Sequence, residues 1–195
     1  MERHAALMSR RIRKILLVCN SYDSFALEED GHIEYRITRE YSELNLSNPP
    51  SIERAGTPAE ALEKIGGETR FDLIITMYNL GEVDVFDFSR QVRAISQDTP
   101  IVLLCSFAKE IYRRIAERDT SCIDYVFCWD NNTDVIIAII KLLEDRLNAD
   151  NDILGMGARA ILLIEDSVRY YSTYLPLLYK LVLQQNSEAV RDTLN

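Results

Sequence analysis

Apolar residues in this chain come in short continuous runs, separated by stretches in which they recur every three or four positions. The most sharply bounded run is Leu73-Ile74-Ile75-Thr76-Met77, opened by Phe71-Asp72. It is too brief for a helix and suits a strand buried on both faces. Asn79 and Gly81 follow as a turn-like stretch, and Asp84 is placed to cap a helix carrying Phe86, Phe88, Val92 and Ile95. A buried strand whose loop opens a helix is half of a βαβ unit. In open parallel sheets, ligands and chemistry collect at the carboxyl ends of such strands. Met77 stands at that end.

The same alternation runs through the rest of the chain. A basic leader, residues 1–13, precedes the buried run Lys14 to Cys19. From Tyr22 the pattern turns helical, with Phe25 and Leu27, until the break at Asp30-Gly31. Ile33, Ile37, Tyr41 and Leu44 then fall on one helical face, and Asn48-Pro49-Pro50 ends it. Ser51 to Ala55 reads as an edge strand. Thr57 is an N-cap with Pro58 at the first helical position, and Gly66-Gly67 closes that helix. Pro100 introduces a third buried run ending at Cys105. Residues 107–118 form a helix with Ile111 and Ile115 inward, and Ile123 to Trp129 is the last strand of the series. Asp130-Asn131-Asn132 turns the chain into the strongly apolar helix Val135 to Leu147. Five strands alternating with helices predict an α/β fold, a three-layer sandwich with right-handed crossovers.

Beyond it, residues 149–158 read as a polar, then glycine-rich linker. Ala160 to Ile164 begins a strand again, and Glu165-Asp166-Ser167 leads into a helix from Val168 to Leu183. KILLVCNSYDSF and ILLIEDSVRYY match as strand-turn-helix openings, which predicts an internal repeat: residues 159–195 start a second copy and stop inside it.

Composition narrows the function. Hydrophobic residues make up 47% and charged residues 27% of the 195, as in a globular protein. A net charge of −9 disfavours nucleic acid as a partner. The one basic cluster, Arg10, Arg11, Arg13 and Lys14, reads as a solvated flank. No apolar run approaches the roughly 20 residues of a membrane span, and the start lacks a signal-peptide core, so the expectation is a cytoplasmic protein without a membrane partner. Cys19, Cys105, Cys122 and Cys128 form no CxxC pair and read as reduced thiols. Asp23, Glu28, Glu29 and Asp30 read as a solvated face without calcium-loop spacing. Neither a P-loop nor a catalytic histidine arrangement is present, His4 and His32 being isolated. The chain is therefore not expected to be an enzyme.

Over residues 14–148 the order of elements resembles the receiver domains of response regulators, the CheY-like family. That resemblance implies a flavodoxin-like sheet in the order 2-1-3-4-5, and a phosphorylation pocket in which an acidic pair, a phosphoacceptor Asp, a Thr or Ser and a Lys stand at strand ends. Here Cys19-Asn20 replaces the acidic pair, and Met77 stands at the phosphoacceptor position. Cys105, followed by Ser106, takes the hydroxyl position, Cys128 that of the Lys, and Asn79 lies in the loop after Met77. A thioether cannot usefully accept a phosphoryl group, and an uncharged pocket holds Mg²⁺ weakly at best. The first domain reads as a pseudo-receiver with no cofactor, a regulatory and protein-interaction domain of a phosphorelay-type system. The family also implies a homodimer through residues 107–148.

Glu165 and Asp166 supply an acidic pair in the second copy, which gives an alternative: an active receiver, completed beyond residue 195, that would hold Mg²⁺ there. A minor alternative is a thiol or soft-metal sensor built from Cys19, Met77, Cys105 and Cys128. Trp129 is expected to cap the pocket or an interface. The wording NSYDSF and AILLIEDSVRYYSTYLP is similar to the N-terminal region of phosphoenolpyruvate-synthase-like proteins of Bacteroidetes-type bacteria, which implies the regulatory head of a larger protein.

Overall fold

A computed structural model describes residues 8–23, 33–44, 46–106, 109–129 and 133–194. The first part of the basic leader with His4, the helical positions Phe25 and Leu27, the acids Glu28, Glu29 and Asp30, the Asp30-Gly31 break, His32 and the Asp130-Asn131-Asn132 turn lie outside them. By contact density the chain divides into two units, one of residues 13–133 and one joining the residues up to Ile12 to those from Asp134 onward.

The first unit contains the whole sheet. Its strands are β1 (Lys14–Val18), β2 (Ser51–Ala55), β3 (Leu73–Met77), β4 (Ile101–Cys105) and β5 (Tyr125–Cys128). All neighbours are parallel, in the order β2-β1-β3-β4-β5. This is the flavodoxin-like order expected from the sequence. β3 and β4 are buried at every position, whereas β2, at the edge, is buried only at Ala55. A central parallel strand is covered on both faces and must be apolar throughout; an edge strand need not be.

The helices of this unit are α1 (Ile33–Glu43), α2 (Pro58–Gly66), α3 (Val85–Ile95) and α4 (Lys109–Ala116). Thr57 caps α2 by accepting from the Glu60 N–H, with Pro58 behind it, and Gly67 takes the C-cap. Ala61 of α2, Phe86, Phe88 and Val92 of α3 and Ile115 of α4 join Leu16, Ile74, Ile101, Leu103 and Cys105 in one buried cluster. Burying such a cluster is favourable by about 25 cal/mol per Å² of apolar surface removed from water.

In the second unit, α5 runs Asp134–Ala149, continues into a π-helical turn, Asp150–Gly155, and α6 spans Val168–Leu194. The segment at residues 8–12 runs beside α5 and the turn. The N–H groups of Met8, Arg10 and Ile12 donate to the side chains of Asp152, Asn148 and Glu144. Every second N–H of this segment thus meets every fourth side chain along α5 and the turn. Asn148 completes the match by donating to the Arg10 carbonyl at 2.8 Å. Glu144 also takes the Lys141 ammonium at 2.8 Å, both side chains being buried. Tyr179 of α6 donates to Asp145 of α5 at 2.6 Å.

Two expectations change. Much of the linker at 149–158 is helical: α5 extends through Ala149 and its last turns widen into the π-helix, until Gly157, at φ +72°, stops it. Residues 160–164 form no strand: the ladder hydrogen bonds that define one are not made there among the described residues. Ile161, Leu162 and Ile164 are left exposed. The helix expected after them is present as α6. Among the described residues, no helix is long and apolar enough to cross a membrane.

Candidate functional site

β1 and β3 are neighbours in the sheet, but the connections leave them in opposite directions, β1 towards β2 and β3 towards β4. Parallel sheets open a crevice at this switch point, beyond the carboxyl ends of the strands. Asn20, just past β1, spans it: its Nδ2 donates to the Asn79 carbonyl at 2.9 Å and to the Asp23 carboxylate at 3.0 Å, and its Oδ1 accepts from the Asp23 N–H at 2.8 Å. Asn20 thus caps the helical turn at 21–23 and holds Asp23 in place. On the other side, Asn79 accepts from the Gly81 N–H, in a turn whose Gly81, at φ +79°, a residue with a side chain would strain.

A cleft of 850 Å³ opens here. Tyr22, Tyr78, Phe86 and Trp129 are its aromatic walls, Met77 and Leu104 lie in its apolar part, and Asp23, Asn79, Glu82, Asp84, Ser106 and Arg114 are its polar groups. Burial pushes the Asp23 carboxyl above its ordinary value, an effect the Asn20 amide partly offsets. Asp84 is differently placed. It accepts from the Phe86 and Asp87 N–H groups as the cap of α3 and pairs with Arg118, whose guanidinium lies 5.5 Å from the centre of the Phe86 ring. Burial raises the Asp84 carboxyl, but Arg118 and the two N–H groups outweigh it and hold the group below its usual range.

The residues expected at a degenerate phosphorylation pocket divide into two sets. Met77, Asn79 and Ser106 line the cleft, and Asn20 bridges its mouth. Cys19, Cys105 and Cys128 are buried and are not among the lining residues. The register explains this for two of them. Met77 is paired with Leu104, and Cys105 with Cys128 one position further on, so the two thiols point to the sheet face opposite Met77. Cys105 donates to the Phe127 carbonyl within the core at 3.5 Å. Among the described residues no three His, Cys, Asp or Glu side chains converge as a metal site. A soft-metal set made of Cys19, Met77, Cys105 and Cys128 is not assembled among the described residues.

The other acids near these strands are occupied elsewhere. Asp72 lies at the amino end of β3, accepting from the Arg13 and Lys14 N–H groups at 2.8 and 2.9 Å. Glu165 accepts from the Ser167 N–H, and Ser167 in turn caps the start of α6 by accepting from Tyr170. Glu165 and Asp166 thus belong to a helix start.

Sequence reading missed Asp23 and Arg114 as cleft residues. Asp23 looked like one of a solvated acidic run, although an Asn three positions before it is a capping signal. Arg114 carried no signal, since only the packing of α4 sets which of its turns borders the cleft.

No family model and no curated protein matches this sequence. Solved structures do match. A CheY-like response regulator receiver domain protein from Methanospirillum hungatei superimposes with a TM-score of 0.53 at 16% identity, over 71% of this chain and 98% of that one. The chain has the receiver fold. The N-terminal domain of a response regulator/sensory box/GGDEF protein from Carboxydothermus hydrogenoformans gives 0.51 at 23% identity, over 71% and 98%. A structure described as adenylate cyclase from Rhodopirellula baltica gives 0.52 at 15% identity, over 74% and 98%. At these identities the likeness concerns the fold, and the chemistry has to be read from the receiver-fold cleft itself.

Proposed function

We propose that this receiver-fold chain is a regulatory, protein-interaction domain that works without aspartyl phosphorylation. Met77 carries this reading. The residue at the end of β3, lining the cleft, is a thioether with no nucleophilic oxygen to form an acyl phosphate. Asp72 is at the other end of the strand and Asp84 is engaged by its cap and by Arg118. The Cys128 position has no amine to pair with a phosphoryl group. The resemblance of the sequence to the N-terminal region of phosphoenolpyruvate-synthase-like proteins supports a setting as the regulatory part of such a polypeptide. The fold analogy supports self-association through residues 107–148, a stretch of which 107–108 and 130–132 lie outside the described residues.

The test is exposure to acetyl phosphate with Mg²⁺, read by intact mass, and titration with beryllofluoride and Mg²⁺, read by the fluorescence of Trp129. No phosphate-sized mass increase and no Mg²⁺-dependent fluorescence change are expected. A hydroxylamine-labile adduct would overturn the reading and make the chain an active receiver.

A further inference from the structure

We propose that the cleft between the β1 and β3 loops is a binding site for a small zwitterion with an aromatic or apolar body, the chemical class of a free amino acid. Its volume of 850 Å³ lies within the range of small-molecule sites, roughly 300–1,000 Å³, with room for ligand and solvent. It sits at the switch point where open α/β sheets bind ligands, and a built feature marks that place: Asn20 is fixed by three hydrogen bonds and fixes Asp23 in turn.

Charges of both signs meet around an aromatic wall. Tyr22, Tyr78 and Trp129 offer ring surface for stacking. Asp23 is held by Asn20 through one carboxylate oxygen, Oδ2, and no described residue donates to its Oδ1. A carboxylate so placed, part-buried and short of donors, is improved by an ammonium group. Arg114 and Ser106 line the same cleft, and neither has a charged partner among the described residues. A guanidinium and a hydroxyl are a donor set for a carboxylate. Asp84, by contrast, is neutralised by Arg118 and does not compete for the cation. A simple anion would meet the Asp23 and Glu82 charges, and a simple cation that of Arg114. A ligand carrying both groups on one apolar body satisfies both sides.

This inference extends the non-phosphorylated reading without depending on it, because mass after acetyl phosphate treatment reports one and ligand titration reports the other. The experiment titrates the full chain with L-phenylalanine, with phenethylamine, which lacks the carboxylate, and with 3-phenylpropionate, which lacks the amine. Trp129, the only tryptophan, reports occupancy by fluorescence, and calorimetry checks it. Saturable binding of L-phenylalanine is expected, with each truncated analogue weaker by about tenfold or more, as for loss of one charge-assisted hydrogen bond. Arg114→Gln should reduce the preference for L-phenylalanine over phenethylamine, and Asp23→Asn its preference over 3-phenylpropionate. Those ratios remain readable if either variant is less stable. The proposal is overturned if L-phenylalanine gives no saturable signal into the millimolar range, if all three compounds bind alike, or if the two folded variants leave both ratios unchanged.

Discussion

Asn20 donates from Nδ2 to the Asn79 carbonyl at 2.9 Å, tying the loop that leaves β1 to the loop that leaves β3. The same nitrogen reaches the Asp23 carboxylate at 3.0 Å, so a neutral amide occupies a place where a second carboxylate would face the first. Receiver domains that hold a metal need acids at this point. Here the local hydrogen bonding needs an amide.

Replacing the amide should therefore be costly in either direction. Asn20→Ala removes a cap and a loop bridge and should lower stability by about 1–2 kcal/mol. Asn20→Asp swaps a donor for an acceptor opposite Asp23 and should destabilise at neutral pH, less so in acid, where one carboxyl is protonated. Urea unfolding followed from pH 7 down to pH 3 measures both. Equal stability of Asn20→Asp and the parent at pH 7 would refute the account.

Acid should release a contribution from Asp84. Its folded carboxyl titrates below the ordinary value of 3.8, because Arg118 and the α3 N–H groups favour the charged form. The stabilisation is complete above that ordinary value and is lost as pH falls through the lower folded value. Asp84→Asn keeps the cap oxygen but loses the charge. Its melting temperature should lie below the parent's at pH 7 and converge with it towards pH 2.

The buried Lys141–Glu144 pair should tolerate loss of both charges better than loss of one. Lys141→Met leaves Glu144 with the Ile12 N–H and the part-exposed Arg11, and should cost about 3 kcal/mol or more. Lys141→Met combined with Glu144→Gln should recover part of that loss, since the new amide oxygen can still accept from the Ile12 N–H. Denaturant unfolding of the single and double variants is the measurement, and additive losses would refute the coupling.

Thiol chemistry should separate the four cysteines. Cys122 is half-buried, whereas Cys19, Cys105 and Cys128 are 2%, 2% and 5% exposed. A disulfide reagent should modify one thiol quickly in the native protein and the other three only on unfolding, with Cys122→Ser removing the fast phase. Fast reaction of three or four thiols would return the sensor reading to consideration.

Much of the fold was legible because its signals are local. The runs at 14–18, 73–77 and 101–105 are apolar almost throughout, and a strand covered on both faces has to be. Thr57-Pro58, Asp84 and Gly66-Gly67 mark helix ends through hydrogen bonds and dihedral limits that involve only nearby residues. The identity of Met77 alone, once β3 was placed, determined that no carboxylate stands at the end of that strand.

Tertiary structure decided the rest. The chain order shows Cys19, Met77, Cys105 and Cys128 at strand ends, but only the register places Met77 and the Cys105–Cys128 pair on opposite faces. Side-chain direction alternates along a strand, so a shift of one residue exchanges cleft for core. The run at 160–164 has the composition of a strand, yet a strand exists only where another supplies its hydrogen bonds. Arg114 reaches the cleft, and Asn148 pairs with Arg10, through packing between residues far apart in the chain, which no local pattern encodes.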